Sequence, residues 1–218
     1  MSLRWTSALR AKTPPKCGST TSSPPPLSEF AKFSNVLERR RCTREFSQRI
    51  VPEEIIKSAL DIARNAPSAG NLQAYQVVVV RDEDTRKRLA EAAGEQAFVG
   101  EAPVILVFCA EPGASIPKYG HRGATLYCVQ DASIYAATTQ NALEAQGVSS
   151  CWVGAFSESK VANILHCSPE TLRPVVLMPC GYKKEGTKQD NIPKDRRNLE
   201  SFVHYERVSE EWEKSPEE

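Results

Sequence analysis

The sequence has almost no excess charge and no long apolar run. Among its 218 residues, 28 lysines and arginines are balanced by 27 aspartates and glutamates, which leaves a net charge of +1. Because nucleic-acid-binding proteins normally carry a basic surplus, we expect no nucleic-acid partner. The longest apolar run covers residues 103–110 and is much shorter than the ~20 residues of a membrane-spanning helix. We therefore expect no membrane partner either.

The sequence also lacks the usual signatures of metal sites, disulfide frameworks and Rossmann nucleotide sites. Its three histidines are dispersed and its seven cysteines include no Cys-x-x-Cys pair, whereas zinc needs clustered ligands, so we expect no metal. The odd cysteine count, with most cysteines in apolar runs, is typical of reduced, buried thiols in a reducing compartment. No Gly-x-Gly-x-x-Gly follows a strand-like segment, so a Rossmann site is not predicted.

Residues 1–28 differ in composition from the rest of the chain. This stretch is rich in Pro, Ser and Thr, and no acidic residue precedes Glu29. Such a segment buries too little apolar surface to fold. Its basic residues among serines are typical of a transit peptide, and an unstructured tail or a segment foreign to the natural protein fits equally. We predict a disordered extension over 1–28, one domain over 29–208 and a flexible tail over 209–218. We expect a cytoplasmic protein, or an organellar one if 1–28 is a transit peptide.

The apolar pattern predicts an α+β domain with one mixed β-sheet flanked by helices. Strands are expected over 75–80, 104–109, 150–156 and 175–181, and helices over 53–65, 83–93, 126–146 and 158–165. The helix over 126–146 is apolar nearly all round, which requires cover on most sides, so we place it at the centre, against a second subunit. A doubly wound, flavodoxin-like sheet is the alternative, but it would need a phosphate-binding loop directly after the first strand.

Four arginines lie close together just before the strand-like Phe46: Arg39, Arg40, Arg41 and Arg44. The planar guanidinium group makes bidentate, charge-assisted bonds to phosphate. Arg40 and Arg44 would share a face on a helix, and they would also share one on an extended segment. The cluster predicts a phosphate anchor, with a solvated basic helix end as the plainer alternative.

A second polar segment, Ala66–Gln73, lies between a predicted helix and a predicted strand. Pro67 cannot continue the helix and Gly70 permits a turn that other residues resist. Asn71 and Gln73 offer hydrogen-bond donors and acceptors together. This combination favours a loop that reads the edge of a flat ring with mixed donors and acceptors, and the alternative is an ordinary helix-to-strand turn.

Several motifs, in order from about Phe33 to Val208, resemble those of the FMN-dependent nitroreductase family. Arg40-Arg41-Cys42-Thr43-Arg44 is similar to the family's Arg-Arg-Ser-x-Arg phosphate motif, and Ala66–Gln73 to its Ala-Pro-Ser-x-x-Asn-x-Gln loop. Gly147–Phe156 is similar to the segment that passes the flavin ring, and Pro179–Tyr182 and Lys194–Leu199 to the closing strand and the returning phosphate contact. The chain departs from the family at Cys42, where a serine is usual, and at Ala74-Tyr75, where Pro-Trp is usual.

The resemblance implies an intertwined homodimer with FMN at the subunit interface and a ping-pong reaction. NAD(P)H would reduce the flavin at N5, and a nitroaromatic, quinone or similar small acceptor would reoxidise it. The implied phosphate contacts are Arg40 and Arg196 with Lys194 assisting, whereas Arg44 lies at the ring. The cofactor-binding residues would be Arg40, Arg41, Cys42, Arg44, Pro67, Ser68, Ala69, Gly70, Asn71, Gln73, Cys151, Trp152, Val153, Gly154, Lys194 and Arg196. We expect no catalytic side chain, because the flavin carries the chemistry.

Some positions keep more than one interpretation. Trp152 fits a core aromatic as well as a flavin contact, and Cys151 makes a poor nucleophile because no histidine lies near it in sequence. The segment Glu111–Thr125 would select substrates, with Tyr119, His121 and Arg122 as lid residues or as parts of a solvated loop. The apolar tail Leu199–Val208 would embrace the partner subunit or pack on its own.

Two other functions stay open at this point. The same residues suit a flavin-binding module without turnover, such as a sensor. They also suit a dehalogenase-like branch of the same superfamily, which would need a longer lid than the sequence shows.

Overall fold

The computed structural model describes residues 27–187 and 194–208. The predicted extension 1–28 lies outside this range except for its last two residues, and the predicted tail 209–218 lies wholly outside it. The proposed domain boundaries therefore stay predictions. Residues 27 and 28 begin a helix that the sequence did not suggest, α1 (Leu27–Arg39), on which Phe30 and Phe33 are exposed.

The chain after Arg39 forms a compact unit of alternating helices and strands. Its elements are α2 (Glu53–Ala63), β1 (Tyr75–Val80), α3 (Glu83–Ala92), α4 (Ala97–Glu101), β2 (Val104–Ala110), α5 (Pro112–Arg122), α6 (Cys128–Ala145), β3 (Ser149–Ser150), α7 (Glu158–Ile164) and β4 (Arg173–Gly181). Short helical turns cover Ala69–Asn71 and Leu199–Ser201, and a wider π-helical turn, Gly123–Tyr127, joins α5 to α6.

The strands form one four-stranded sheet in the order β1-β2-β4-β3. All its ladders are antiparallel, with Val78 opposite Val107 and Leu106 opposite Met178. The one parallel pairing in the described ranges is the isolated bridge between Cys42 and Ser150. The predicted α+β class is confirmed, the mixed character of the sheet is confined to that bridge, and the doubly wound alternative is wrong.

The sheet has a hydrophobic core on each face, because side chains alternate along a strand. On one face, even-numbered residues of β2 such as Leu106 and Phe108 pack with α2 and α6. On the other face, odd-numbered residues such as Ile105 and Val107 pack with α3, α4 and α7. Every residue of β2 is consequently buried.

Some predicted boundaries hold and others fail. The strand Tyr75–Val80 is confirmed as predicted. The strand predicted over 150–156 is wrong in extent, because regular pairing ends at Ser150 and resumes only at the isolated bridge between Val153 and Leu177. The solvated loop considered for 111–125 is also wrong, because most of this segment is helix α5.

Helix α6 lies against α2 and all four strands, which agrees with its predicted central position. Tyr135, Ala136 and Leu143 point into the core, whereas Gln130 and Ile134 are exposed. Part of the surface of α6 is therefore not covered by other elements of the same chain. Among the described residues, no helix has both the length and the apolar character needed to cross a membrane.

Candidate functional site

Residues 40–47, which we call the arginine segment, are extended and hydrogen-bonded to the edge of the sheet. The amide of Thr43 donates to the Ser150 carbonyl at 3.1 Å, and the amide of Ser47 donates to the Tyr182 carbonyl at 2.8 Å. Arg39 ends α1 and the other three arginines follow it in the chain, so both the phosphate anchor and the basic helix end stay open as interpretations. In an extended segment, alternate residues share a side, which groups Arg40, Cys42 and Arg44.

Two arginines of this segment carry donors that suit an anion. Arg40 Nη1 lies 3.9 Å from Cys42 Sγ, and both side chains are half-buried. Arg41 is half-buried too, and its Nη1 is fully buried with no hydrogen-bond partner among the described residues. A buried donor without an acceptor costs free energy, so Arg41 favours a ligand that supplies one.

Lys194 brings the later part of the chain to the same place. Burial and then the charges of Arg41, Arg40 and Arg196 lower the pKa of the Lys194 ammonium group. Such a shift requires the three arginines to lie within electrostatic reach of Lys194. The Glu144 carboxylate acts on Lys194 in the opposite direction. A concentration of positive charge suits a doubly charged phosphate, and the assignment of these residues to a phosphate stays a prediction.

Arg44 lies at the other end of the segment. Its guanidinium carbon is 5.7 Å from the centroid of the Phe98 ring, a cation–π contact. Arg44 and Arg40 both favour the charged form of the Cys151 thiol, although contact with Cys42 and burial raise the pKa of Cys151 overall. Arg44 thus faces the segment that begins at Cys151.

The segment 151–154 is pinned by its backbone and alternates in exposure. The amides of Cys151 and Val153 donate to the carbonyls of Pro179 and Leu177 at 3.1 and 2.9 Å, and both side chains are buried. Trp152 is 36% exposed and Gly154 is exposed. The interpretation of Trp152 as a core aromatic is wrong, because its side chain lies at the surface.

Ala66–Gln73, which we call the amide loop, contains three residues in the left-handed conformation. Gly70, Asn71 and Gln73 have φ values of 58°, 59° and 50°. Non-glycine residues adopt this conformation at a cost, and strained backbone of this kind persists where the surroundings fix it. The amide groups of Asn71 and Gln73 are exposed, so they are available to a ligand.

A buried carboxylate fixes the amide loop. The Ala69 amide donates to Asp131 Oδ1 of α6 at 2.9 Å, and the Gln73 amide donates to Ser68 Oγ at 3.1 Å. Asp131 is only 2% exposed, and its Oδ2 has no hydrogen-bond partner in the described part of the chain. Sequence reasoning missed Asp131, although an acidic residue in a mostly apolar helix was a usable signal.

Helix α5 reaches over the same loop. A side chain added at Gly70 would collide with Lys118 Nζ and with the Tyr119 hydroxyl. The predicted lid residue Tyr119 is therefore at the loop, together with Lys118, which sequence reasoning missed. Arg122, another predicted lid residue, instead donates to the Tyr127 hydroxyl at 3.0 Å.

A groove of about 580 Å³ runs along α6 beside the amide loop, and its lining includes Ser68, Ala69, Asp131 and Ile134. None of the contacts described above joins the amide loop to the arginine segment. The predicted site residues therefore form two groups, each connected internally.

Comparison with known proteins shows the family. The sequence profile of the nitroreductase family matches residues 37–101 and 93–182. A candidate NADH dehydrogenase/NAD(P)H nitroreductase of Methanothermobacter thermautotrophicus is 32% identical over 171 residues, which cover 76% of this chain and 85% of the relative. The chain belongs to the nitroreductase family.

Two further comparisons bear on fold and function. The solved structure of the NADPH:FMN oxidoreductase from Vibrio harveyi, complexed with NAD+, has a TM-score of 0.73 at 24% identity and covers 82% of this chain and 79% of that one. This likeness confirms the predicted nitroreductase-like fold. An iodotyrosine deiodinase of Haliscomenobacter hydrossis is 25% identical over 186 residues, which cover 73% of this chain and 83% of the relative.

Proposed function

We propose that the protein is an FMN-dependent oxidoreductase that takes hydride from NAD(P)H and reduces a small conjugated acceptor such as a nitroaromatic or a quinone. The observation that carries this proposal is the cluster of Arg40, Arg41, Lys194 and Arg196, in which the buried Nη1 of Arg41 has no acceptor among residues 27–187 and 194–208. Membership of an FMN-dependent family supports the same conclusion.

The donor set fits both ends of FMN. The cationic cluster suits the doubly charged phosphate, and the exposed amides of Asn71 and Gln73 suit the pyrimidine edge of the ring. When bound, FMN supplies two-electron chemistry at its ring. Arg40, Arg41, Lys194 and Arg196 then hold the phosphate, Arg44 places a positive charge at the ring, and the 151–154 backbone forms a wall beside it.

We further propose that the working form is a homodimer. Ile134 of α6 is 38% exposed, and the tail after Asn198 exposes Leu199, Phe202, Tyr205 and Val208. Exposed apolar side chains in such numbers are typical of an interface. The division of the predicted site into two groups supports a site completed by a second copy, with the tail around its partner.

Reductive dehalogenation is a second candidate, favoured by the deiodinase relative. The lid available for it is α5, eleven residues long, with Lys118 and Tyr119 above the amide loop. A flavin-binding module without turnover would use the same residues as the enzyme, so only an activity measurement distinguishes it.

The test begins with the chromophore that denaturation releases from the purified protein. We expect FMN, roughly one per chain, and FAD or no flavin after FMN reconstitution would contradict the proposal. NADH and NADPH oxidation is then measured with a quinone, a nitroaromatic and a halogenated phenol. Turnover with the first two supports the reductase, halide release from the phenol alone supports the dehalogenase, and bound FMN without any turnover supports the sensor.

A further inference from the structure

We infer that Cys42 and Cys151 form a redox-active thiol pair, in which a peroxide oxidises Cys42 and Cys151 then closes a disulfide with it. This site is independent of the proposed oxidoreductase function, because it needs neither FMN nor NAD(P)H. Both cysteines are among the predicted cofactor-binding residues, but the cationic cluster proposed for the phosphate consists of Arg40, Arg41, Lys194 and Arg196. Cys42 replaces the serine that is usual in the family's phosphate motif.

The fold brings the two thiols together although they are far apart in sequence. The parallel bridge between Cys42 and Ser150, with the Thr43 amide on the Ser150 carbonyl at 3.1 Å, places Cys42 beside the residue that precedes Cys151. Both side chains belong to one hydrophobic cluster on the same face of the sheet, with Cys151 buried in it and Cys42 packed against it. The interaction between the two thiols lowers the pKa of Cys42. They are free thiols in this structure.

The pair has an accessible member and a shielded member. Cys42 is half-buried, whereas Cys151 is 1% exposed. A peroxide therefore reaches Cys42 first, and Cys151 is protected until Cys42 has been oxidised. This division of roles, an attacked thiol beside a resolving thiol, is the arrangement that reversible thiol oxidation requires.

Arg40 and Cys151 make Cys42 the most reactive thiol of the described chain. The hydrogen bond from Cys151, and the contact and charge of Arg40, lower the pKa of Cys42 to about 5 despite partial burial. The thiolate is the nucleophilic form. Burial raises the pKa of the remaining described thiols, Cys109, Cys128, Cys167 and Cys180, which keeps them protonated.

The chemistry balances with hydrogen peroxide as the oxidant. The Cys42 thiolate attacks one peroxide oxygen, the O–O bond breaks, and with one proton the products are a sulfenic acid and water. The Cys151 thiol then gives its proton to the sulfenic oxygen as its sulfur attacks the Cys42 sulfur. An S–S bond forms, the S–O bond breaks, and the oxygen leaves with both protons as a second water. The two thiols lose two electrons in total and the peroxide gains them.

The experiment treats the full-length protein with a few equivalents of hydrogen peroxide, blocks free thiols with N-ethylmaleimide and maps peptides. Trypsin releases residues 42–44, and Glu-C cuts after Glu144 and so separates Cys128 from Cys151. We expect an intact mass lower by two hydrogens and a linked pair of peptides, 42–44 with 145–158. Dithiothreitol should restore both peptides.

Three variants complete the test. Cys42→Ser should abolish the link, and Cys151→Ala should leave a sulfenic acid on Cys42 that dimedone labels. Cys167→Ser changes a half-buried cysteine outside the pair and should form the link at the parent rate. Circular dichroism checks that each variant is folded. If a variant does not fold, the peptide map of the peroxide-treated parent protein still tests whether the Cys42–Cys151 disulfide forms.

Three outcomes would overturn the inference. The first is oxidation of Cys42 to the sulfinic acid with no link. The second is a link between other cysteines, including Cys17. The third is equal peroxide consumption by the parent protein and by folded Cys42→Ser.

Discussion

The arginine segment and the amide loop hold their side chains in place by opposite means. The arginine segment is ordinary extended backbone, tied to β3 and to the chain after β4 by main-chain hydrogen bonds, and its distinguishing property is charge. The amide loop carries no charge, and its distinguishing property is a run of left-handed residues held by Asp131. We therefore expect charge to determine cofactor affinity at the arginine segment, and backbone shape to determine the ligand geometry at the amide loop.

We expect the largest effect from Arg40→Ala, which changes the charge of the arginine segment. It removes a charge-assisted bond to a doubly charged group, worth ~1.5–3 kcal/mol, so FMN affinity should fall roughly ten- to a hundredfold. Turnover at saturating FMN should largely recover, because the phosphate end lies away from the reacting ring. Fluorescence titration with FMN and steady-state kinetics measure the two quantities, and a turnover loss that excess FMN does not repair would place Arg40 at the ring.

Arg44→Ala should affect the chemistry of the bound flavin, and its effect on FMN affinity should be smaller than that of Arg40→Ala. Arg44 faces Phe98 and Cys151 rather than the Lys194 cluster, and a cation near the ring favours its reduced, more negative form. We expect a lower flavin potential and reduction by NAD(P)H slower by roughly tenfold, the equivalent of ~1.4 kcal/mol. Stopped-flow reduction of the FMN-loaded variant is the test. An unchanged rate and an unchanged potential would show that Arg44 does not act at the ring and belongs with the phosphate-binding residues.

Gly70→Ala tests the shape of the amide loop. Its left-handed φ costs an alanine ~1–2 kcal/mol, and the added methyl group collides with Lys118 and Tyr119. Gly94→Ala is the matched control, because Gly94 also has a positive φ but has open space around it. Both variants should lose similar stability in urea titrations, but only Gly70→Ala should alter KM for the acceptor. Equal KM values for the acceptor in the two variants would show that α5 does not contribute to acceptor binding.

The smallest expected effect is a gain of affinity in Cys42→Ser. Above the Cys42 pKa of about 5, the thiolate places a negative charge beside Arg40, where it opposes a phosphate. The neutral serine should therefore bind FMN roughly threefold more tightly at pH 8, or ~0.7 kcal/mol. As pH falls through about 5, Cys42 becomes neutral and the ratio of the two dissociation constants should approach one. A ratio that does not change with pH would show that Cys42 is a thiol throughout.

Local patterns in the sequence predicted much of the fold and several parts of the site. The four consecutive valines of β1 and the wholly apolar β2 need no distant information, since either pattern favours a buried strand. The segment that became α5 contains Pro112, Gly113, Pro117 and Gly120, and glycine and proline disfavour a helix interior. Pro112 lies at the helix start, where proline is tolerated, and Gly120 has the non-helical angles φ 55° and ψ −142°, so the helix is kinked there.

What the sequence did not reveal depends on contacts between distant residues. Asp131 accepts a hydrogen bond from Ala69 across 62 residues, and Cys42 lies beside Ser150, the residue before Cys151, only because a parallel bridge joins two short segments. The exposure of Trp152 follows from where β3 leaves the sheet, which no local pattern marks. The roles assigned to the predicted cofactor-binding residues stay predictions until the variants above are measured.

The strand order β1-β2-β4-β3 has a consequence for the protein during its synthesis. Strand β2 pairs first with β1, its neighbour in the chain, but its other edge must wait for β4, which ends at Gly181. Until the ribosome has delivered that strand, a seven-residue apolar strand carries one unpaired edge, the kind of edge that recruits other chains. Nascent chains halted between β2 and β4 should therefore depend on chaperones that cover such edges, and chains released after β4 should not.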